Sequence, residues 1–251
     1  MEHHPYARQS RSQYGELLLP PDVRGPDAEV LAGPWPVAVL LHGGFWKAQY
    51  GRKLMHPLCG ELTGAGWAVW NLEYRRLGHN AGGGWPETFE DVALAIDHLL
   101  DLEYRGLDLT RLVAIGHSAG GQLAAWAATR AEPHVRLTAV VAQAGVLDLR
   151  MAWERRLSRG IVRRLLGGTP EEHPSRYDAA SPVERVPLGV PMLLTHGGRD
   201  DTVPVEMSER FARRARAAGD DVDLLVIPEE DHYAHLDPRS RVWDAVVRWI
   251  G

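Results

Sequence analysis

A serine hydroxyl becomes a nucleophile only where the chain lifts it clear of its neighbours and brings a base to it. Gly116-His117-Ser118-Ala119-Gly120 sets Ser118 in a G-x-S-x-G pattern, after the apolar run Leu112-Val113-Ala114-Ile115 and before an alanine-rich stretch. The spacing suits a very tight turn from strand to helix. Glycines two before and two after the serine let backbones approach with no Cβ in the way. The helix that follows would offer free N–H groups and the positive end of its dipole to a developing oxyanion. The bland alternative is a glycine-rich turn with a capping serine.

Near neutral pH a hydroxyl needs an adjacent base, and the base needs a carboxylate to orient it. The apolar run 192–195 leads into His196-Gly197-Gly198-Arg199-Asp200-Asp201-Thr202-Val203-Pro204, which offers two acids. Asp200 is preferred because it stands three before Val203 in a G-x-x-D-x-x-V-P pattern, and Asp201 is the alternative. The last apolar run, 224–227, is followed by Pro228-Glu229-Glu230-Asp231-His232-Tyr233-Ala234-His235. His232 is the preferred base and His235 the competitor. The two could also suggest a metal, but no third ligand stands at zinc spacing, so neither a metal nor a cofactor is expected.

Acyl transfer needs a second set of donors for the oxyanion. The run 37–41 leads into His42-Gly43-Gly44-Phe45-Trp46. The backbone N–H groups of Gly44 and Phe45, with that of Ala119, are the expected donors, and Gly43 shapes the turn. His42 is expected to brace this loop. His117, held on the turn, is not placed to serve the neighbouring hydroxyl. Trp46, Trp85 and Trp153 are candidates for the substrate pocket, with the loop 82–86 as one possible wall; most of the nine tryptophans could equally be core.

The elements that must position these residues read as an alternation. Short apolar runs at 37–42, 68–72, 112–115, 138–142, 192–195 and 224–227 suit strands buried on both faces. Helical patterns lie at 88–100, 120–129, 205–218 and 241–250. Strand and helix in turn imply right-handed crossovers, a mostly parallel sheet of about eight strands with helices on both faces, and chemistry on the loops after the strand C-termini. Segments 15–19 and 28–31 could add antiparallel edge strands. The chain is read as one domain, 1–251, carrying a small insert or lid at 150–187. About fifty residues separate two of the runs there, more than one crossover needs. Within it, 151–166 reads either as an amphipathic helix with a basic solvated face or as a lid over the site.

The His42-Gly43-Gly44-Phe45-Trp46 and Gly116-His117-Ser118-Ala119-Gly120 motifs, the Asp200 loop and His232 together resemble the α/β-hydrolase superfamily. Within it they are similar to the esterase/lipase branch that includes small carboxylesterases and arylformamidases. The resemblance implies Ser118 as nucleophile, Asp200 as acid, His232 as base and an oxyanion loop at 43–45. It departs from formamidases, which often carry tyrosine where this chain has Phe45.

Composition sets the outer bounds. The 45% hydrophobic and 24% charged content is that of a globular protein and excludes wholesale disorder. A net charge of −5 offers no global attraction for nucleic acid. Cys59 is the sole cysteine, which excludes an internal disulfide and fits a reducing compartment. No signal-peptide apolar region or membrane-spanning run is evident, so the expected location is cytoplasmic. The expectation is a serine esterase acting on a small-molecule ester. An amidase of the arylformamidase type is the alternative, and a non-catalytic hydrolase-like binding protein is the alternative from another class.

Overall fold

The computed structural model describes residues 2–21, 33–102 and 106–251. Its strands are β1 (Glu2–Pro5), β2 (Tyr14–Leu18), β3 (Trp35–Leu41), β4 (Ala68–Leu72), β5 (Leu107–His117), β6 (Ala139–Gln143), β7 (Met192–Gly197) and β8 (Val222–Ile227). Its helices are α1 (His56–Gly64), α2 (Glu87–Asp97), α3 (Ala119–Ala128), α4 (Leu149–Glu154), α5 (Leu157–Leu166), α6 (Pro174–Ala180), α7 (Val205–Ala217) and α8 (Arg241–Ile250). The strands form an eight-stranded sheet in the order β1-β2-β4-β3-β5-β6-β7-β8. β1 and β2 run antiparallel to their neighbours, and all the other pairings are parallel. This is the expected α/β-hydrolase architecture.

The continuous apolar runs are strands covered on both faces because successive side chains point to opposite sides. In β3, Val37, Val39 and Leu41 enter one core with Phe89 and Val92 of α2, Leu123 of α3 and Phe211 of α7. Ala38 and Leu40 enter the other with Leu58 and Leu62 of α1 and Trp243 and Val246 of α8. The same alternation runs through β5, where Leu112 and Ala114 face the first core and Val113 and Ile115 the second.

Several expectations shift. The segment 15–19 is a strand, but it lies inside the sheet between β1 and β4, and β1 takes the edge. The segment 28–31 lies outside the described residues. β5 begins five residues earlier than its apolar run suggests, with a register shift between Pro36 and Val37 on its partner. The segment 151–166 is not one helix. It breaks between α4 and α5, and Arg156, Ser158, Arg159 and Gly160 hold positive φ angles of 52°, 46°, 64° and 74°. Ile161, Val162, Leu165 and Leu166 are nonetheless buried in the first core, with Tyr177 of α6.

Candidate active site

Ser118 stands between β5 and α3 with φ 56° and ψ −116°, a backbone conformation costly for a side-chain-bearing residue. The neighbouring glycines make it attainable. A Cβ on Gly116 would lie 2.1 Å from the Gly120 carbonyl oxygen, and one on Gly120 would lie 2.0 Å from that of Leu41. The turn is tied down by the Ser118 N–H, which donates to the Gln143 carbonyl at 2.8 Å. The Ser118 carbonyl accepts from the amides of Gln122 and Val146, both at 3.2 Å.

Asp200 follows β7, and its side chain is fully buried. Oδ1 accepts from the Thr202 and Val203 amides at 2.9 and 2.8 Å, which fixes the carboxylate plane. Oδ2 accepts from Nδ1 of His232 at 2.7 Å and lies 3.2 Å from Nε2 of His196. Burial alone would raise the Asp200 pKa. The hydrogen bonds from His196 and His232 outweigh it and hold the carboxyl well below the usual carboxylate range. Asp201, by contrast, is exposed and among the described residues accepts only from the Thr202 hydroxyl. The two adjacent acids point to different surroundings, and only Asp200 meets an imidazole.

With Nδ1–H of His232 committed to Asp200, Nε2 is the nitrogen free to accept a proton. His232 and Ser118 line one pocket of about 190 Å³, with Gly44, Phe45, Tyr50 and Tyr233 among its other walls. The Ser118 hydroxyl and His232 are not hydrogen-bonded to each other here, and such links are often long before substrate arrives. His235 does not share this pocket. It is wholly buried, its Nδ1 is 3.3 Å from Thr195 Oγ1, and burial pushes its pKa well down.

The loop after β3 lies against the serine turn. A Cβ on Gly43 would meet Nδ1 and the carbonyl oxygen of His117, both at 2.9 Å. Gly44, Phe45 and Trp46 follow with φ angles of 102°, 50° and 55°, so three successive amides turn sharply. Among the described residues, the Gly44 and Phe45 amides donate to no protein acceptor. Ala119 opens α3, so its N–H has no partner within the helix.

His42 braces this loop as expected. Its Nδ1 is 2.8 Å from the Gly43 carbonyl and its Nε2 2.9 Å from Glu73 Oε1, while its ring stacks on Tyr74 at 4.3 Å. Burial works to raise the Glu73 pKa, but the His42 hydrogen bond and the Arg76 charge beside it carry it below normal.

His117 has a task that spacing did not disclose. Its Nε2 donates to the His232 carbonyl at 2.9 Å, tying the turn to the loop that carries the base. Burial, with the nearby His232, lowers its pKa to about 3, so it is neutral and keeps that proton.

The tryptophans are a correction. Trp46 is wholly buried in the first core, its indole N–H donating to Gln122 Oε1 at 3.1 Å. Its backbone turns so sharply that the side chain enters the core instead of the pocket. Trp85 packs edge-on to Phe89 at 4.9 Å, in a separate open cleft shared with Trp126. Trp153 lines another cleft beside Arg156, Arg159 and Arg163. None of the three, nor the loop 82–86, is a wall of the Ser118 pocket. Lys47, Leu54, Ser158, Thr202 and Leu236 are walls that sequence reasoning missed. Thr202 and Tyr233 were within its reach, since they sit next to motif residues. Ser158 arrives from the far segment 150–187, which no local pattern could place.

The sequence profile of the prolyl oligopeptidase family matches residues 73–250. Esterase LipC of Mycobacterium tuberculosis (strain ATCC 25618 / H37Rv) is 30% identical over 223 residues, spanning 79% of this chain and 53% of LipC. Esterase LipQ of the same strain is 29% identical over 235 residues, 86% of this chain and 55% of LipQ. The chain thus spans about half the length of these curated relatives. The propionate-bound structure of Est2, a thermophilic esterase from the Planctomycetes species Thermogutta terrifontis, superposes with a TM-score of 0.75 at 24% identity. That match covers 99% of this chain and 91% of Est2. The profile takes in the Ser118 turn, the Asp200 loop and His232 in one continuous match: this chain is a member of the prolyl oligopeptidase family of α/β-hydrolases.

Proposed function

We propose that the chain is a serine hydrolase that cleaves small carboxylic esters through a covalent acyl-enzyme. The observation that carries this reading is the Asp200–His232 pair, joined at 2.7 Å, on the wall of the same small pocket as the strained Ser118. Ser118 attacks the ester carbonyl while Nε2 of His232 takes its proton. Asp200 holds the imidazole in the tautomer with Nδ1–H and stabilises the imidazolium. The N–H groups of Ala119, Gly44 and Phe45 receive the oxyanion. His232 then protonates the leaving alkoxide, and water, deprotonated by the same nitrogen, releases the acid. The pocket of about 190 Å³ favours a short acyl group. In this reading the segment 150–187 contributes a wall through Ser158 and governs access.

The esterase names of LipC and LipQ support this choice. The family's own name keeps peptide-bond hydrolysis as the second reading. A panel of p-nitrophenyl acetate and butyrate, N-formylkynurenine and a prolyl p-nitroanilide separates ester, formamide and peptide cleavage. Turnover of the short esters, lost in Ser118→Ala, is the expected result. Turnover of only the amides, or esterase activity that survives Ser118→Ala, would contradict it.

A further inference from the structure

Next to the Ser118 pocket lies a second, more open cavity of about 440 Å³. Lys47 and Ser158 line both, so the two spaces meet across these side chains. The second cavity also draws on Arg159 and Arg164 and has no acidic residue in its lining. Three cations therefore converge in a chain whose net charge is −5. Among the described residues none of the three has a carboxylate partner, whereas the nearby Arg155 pairs with Glu206 and Arg163 with Glu172. Among the described residues the Lys47 ammonium donates one hydrogen bond, to Ser158 Oγ at 2.6 Å, which leaves two of its three N–H donors for a ligand. Lys47 is one of only two lysines in the chain, and it directly follows the glycine loop that lines the nucleophile's pocket. Ser158, which meets Lys47, and Arg159 hold a left-handed backbone that carries a conformational cost.

The geometry points to an anion subsite: the ester this enzyme takes carries a negatively charged group, a carboxylate or an ester phosphate, seated between Lys47, Arg159 and Arg164. This deepens the serine esterase reading and rests on it. Neighbouring cations uncompensated by acids favour an anion most where water is partly excluded; half-buried Lys47 at the junction meets that condition, while Arg159 and Arg164 are exposed on the open side.

The test compares kcat/KM for para-acetoxybenzoate with that for its neutral counterpart para-acetoxybenzamide. It repeats the comparison with the charge on the acyl side, phenyl hydrogen adipate against the corresponding adipamide. The expected result is a preference of about tenfold for the anionic member of at least one pair, the size of one charge-assisted hydrogen bond. That preference should collapse in Arg159→Gln/Arg164→Gln and in Lys47→Gln, return in Lys47→Arg, and weaken with added salt. Labelling of Ser118 by a fluorophosphonate shows independently that each variant is folded. Equal turnover of charged and neutral esters, or a preference that the substitutions leave intact, overturns the subsite while leaving the esterase reading standing. Absence of labelling and of turnover in the native chain removes both.

Discussion

Four side chains divide the work at the residue scale. Ser118 and His232 would move the proton, and Asp200 holds the imidazole. His117 holds the backbone that carries it. Asp200→Asn would present the wrong hydrogen-bonding partner to Nδ1, and a drop in kcat of about 10³–10⁴ is expected. His117 is a positioning residue. Its replacement by Ala should lower kcat by about tenfold or more, with a smaller change in KM for a short ester, because the base is displaced while His117 is only one of many residues that line the acyl pocket. A large rise in KM with kcat intact would show instead that His117 shapes binding.

Element by element, the nucleophile's conformation is maintained by close backbone approach. Gly120→Ala would place a methyl 2.0 Å from the Leu41 carbonyl. It should cost more than about 3 kcal/mol, the scale of severe overpacking, and appear as a large fall in melting temperature or loss of folded protein. Gly60, inside α1, is the contrast. A Cβ there meets nothing within 4 Å, so Gly60→Ala should stabilise by about 0.5–1 kcal/mol. The difference explains how much could be read in advance. The strands β3 to β8, the Ser118 turn and the loops after β7 and β8 were legible because each follows from local rules: an apolar run, a glycine two residues away, an acid at fixed spacing. α1 was not, because its apolar face is only Leu58, Cys59 and Leu62 among glycines, a proline and polar residues. Nor was the break at 156–160, where left-handed residues carry no glycine signal until Gly160. The pocket tryptophans were misplaced because residue type says nothing about direction. Trp46 is next to the glycine loop after β3 in sequence, yet it lies in the core and not on the pocket wall.

The whole molecule gathers His42, His117, His196, His232 and His235 at the carboxyl ends of the parallel strands, and that has a consequence for acid stability. His117 titrates near 3 when folded and near 6.5 when unfolded, and His235 is likewise shifted well down by burial. Between those limits the unfolded chain binds the extra proton, so stability is complete above about pH 6.5 and falls as the pH drops. Each such histidine contributes a slope of about 1.4 kcal/mol per pH unit. The depressed Asp200 acts in the same sense only below the carboxylate range. Denaturant unfolding between pH 5 and 6, above the carboxylate range, should therefore show uptake of about two protons. His117→Gln should reduce that by about one, and an unchanged slope would show that His117 is not held neutral in the folded chain. No helix among the described residues is long and apolar enough to cross a membrane.

The most direct test of the acyl-enzyme account is the site of covalent modification. Folded protein treated with a fluorophosphonate should gain a single adduct that peptide mapping places on Ser118. Its formation should slow about a thousandfold or more in His232→Ala, where no base remains to take the proton. An adduct on another residue, or labelling of Ser118 at an undiminished rate without His232, would contradict it.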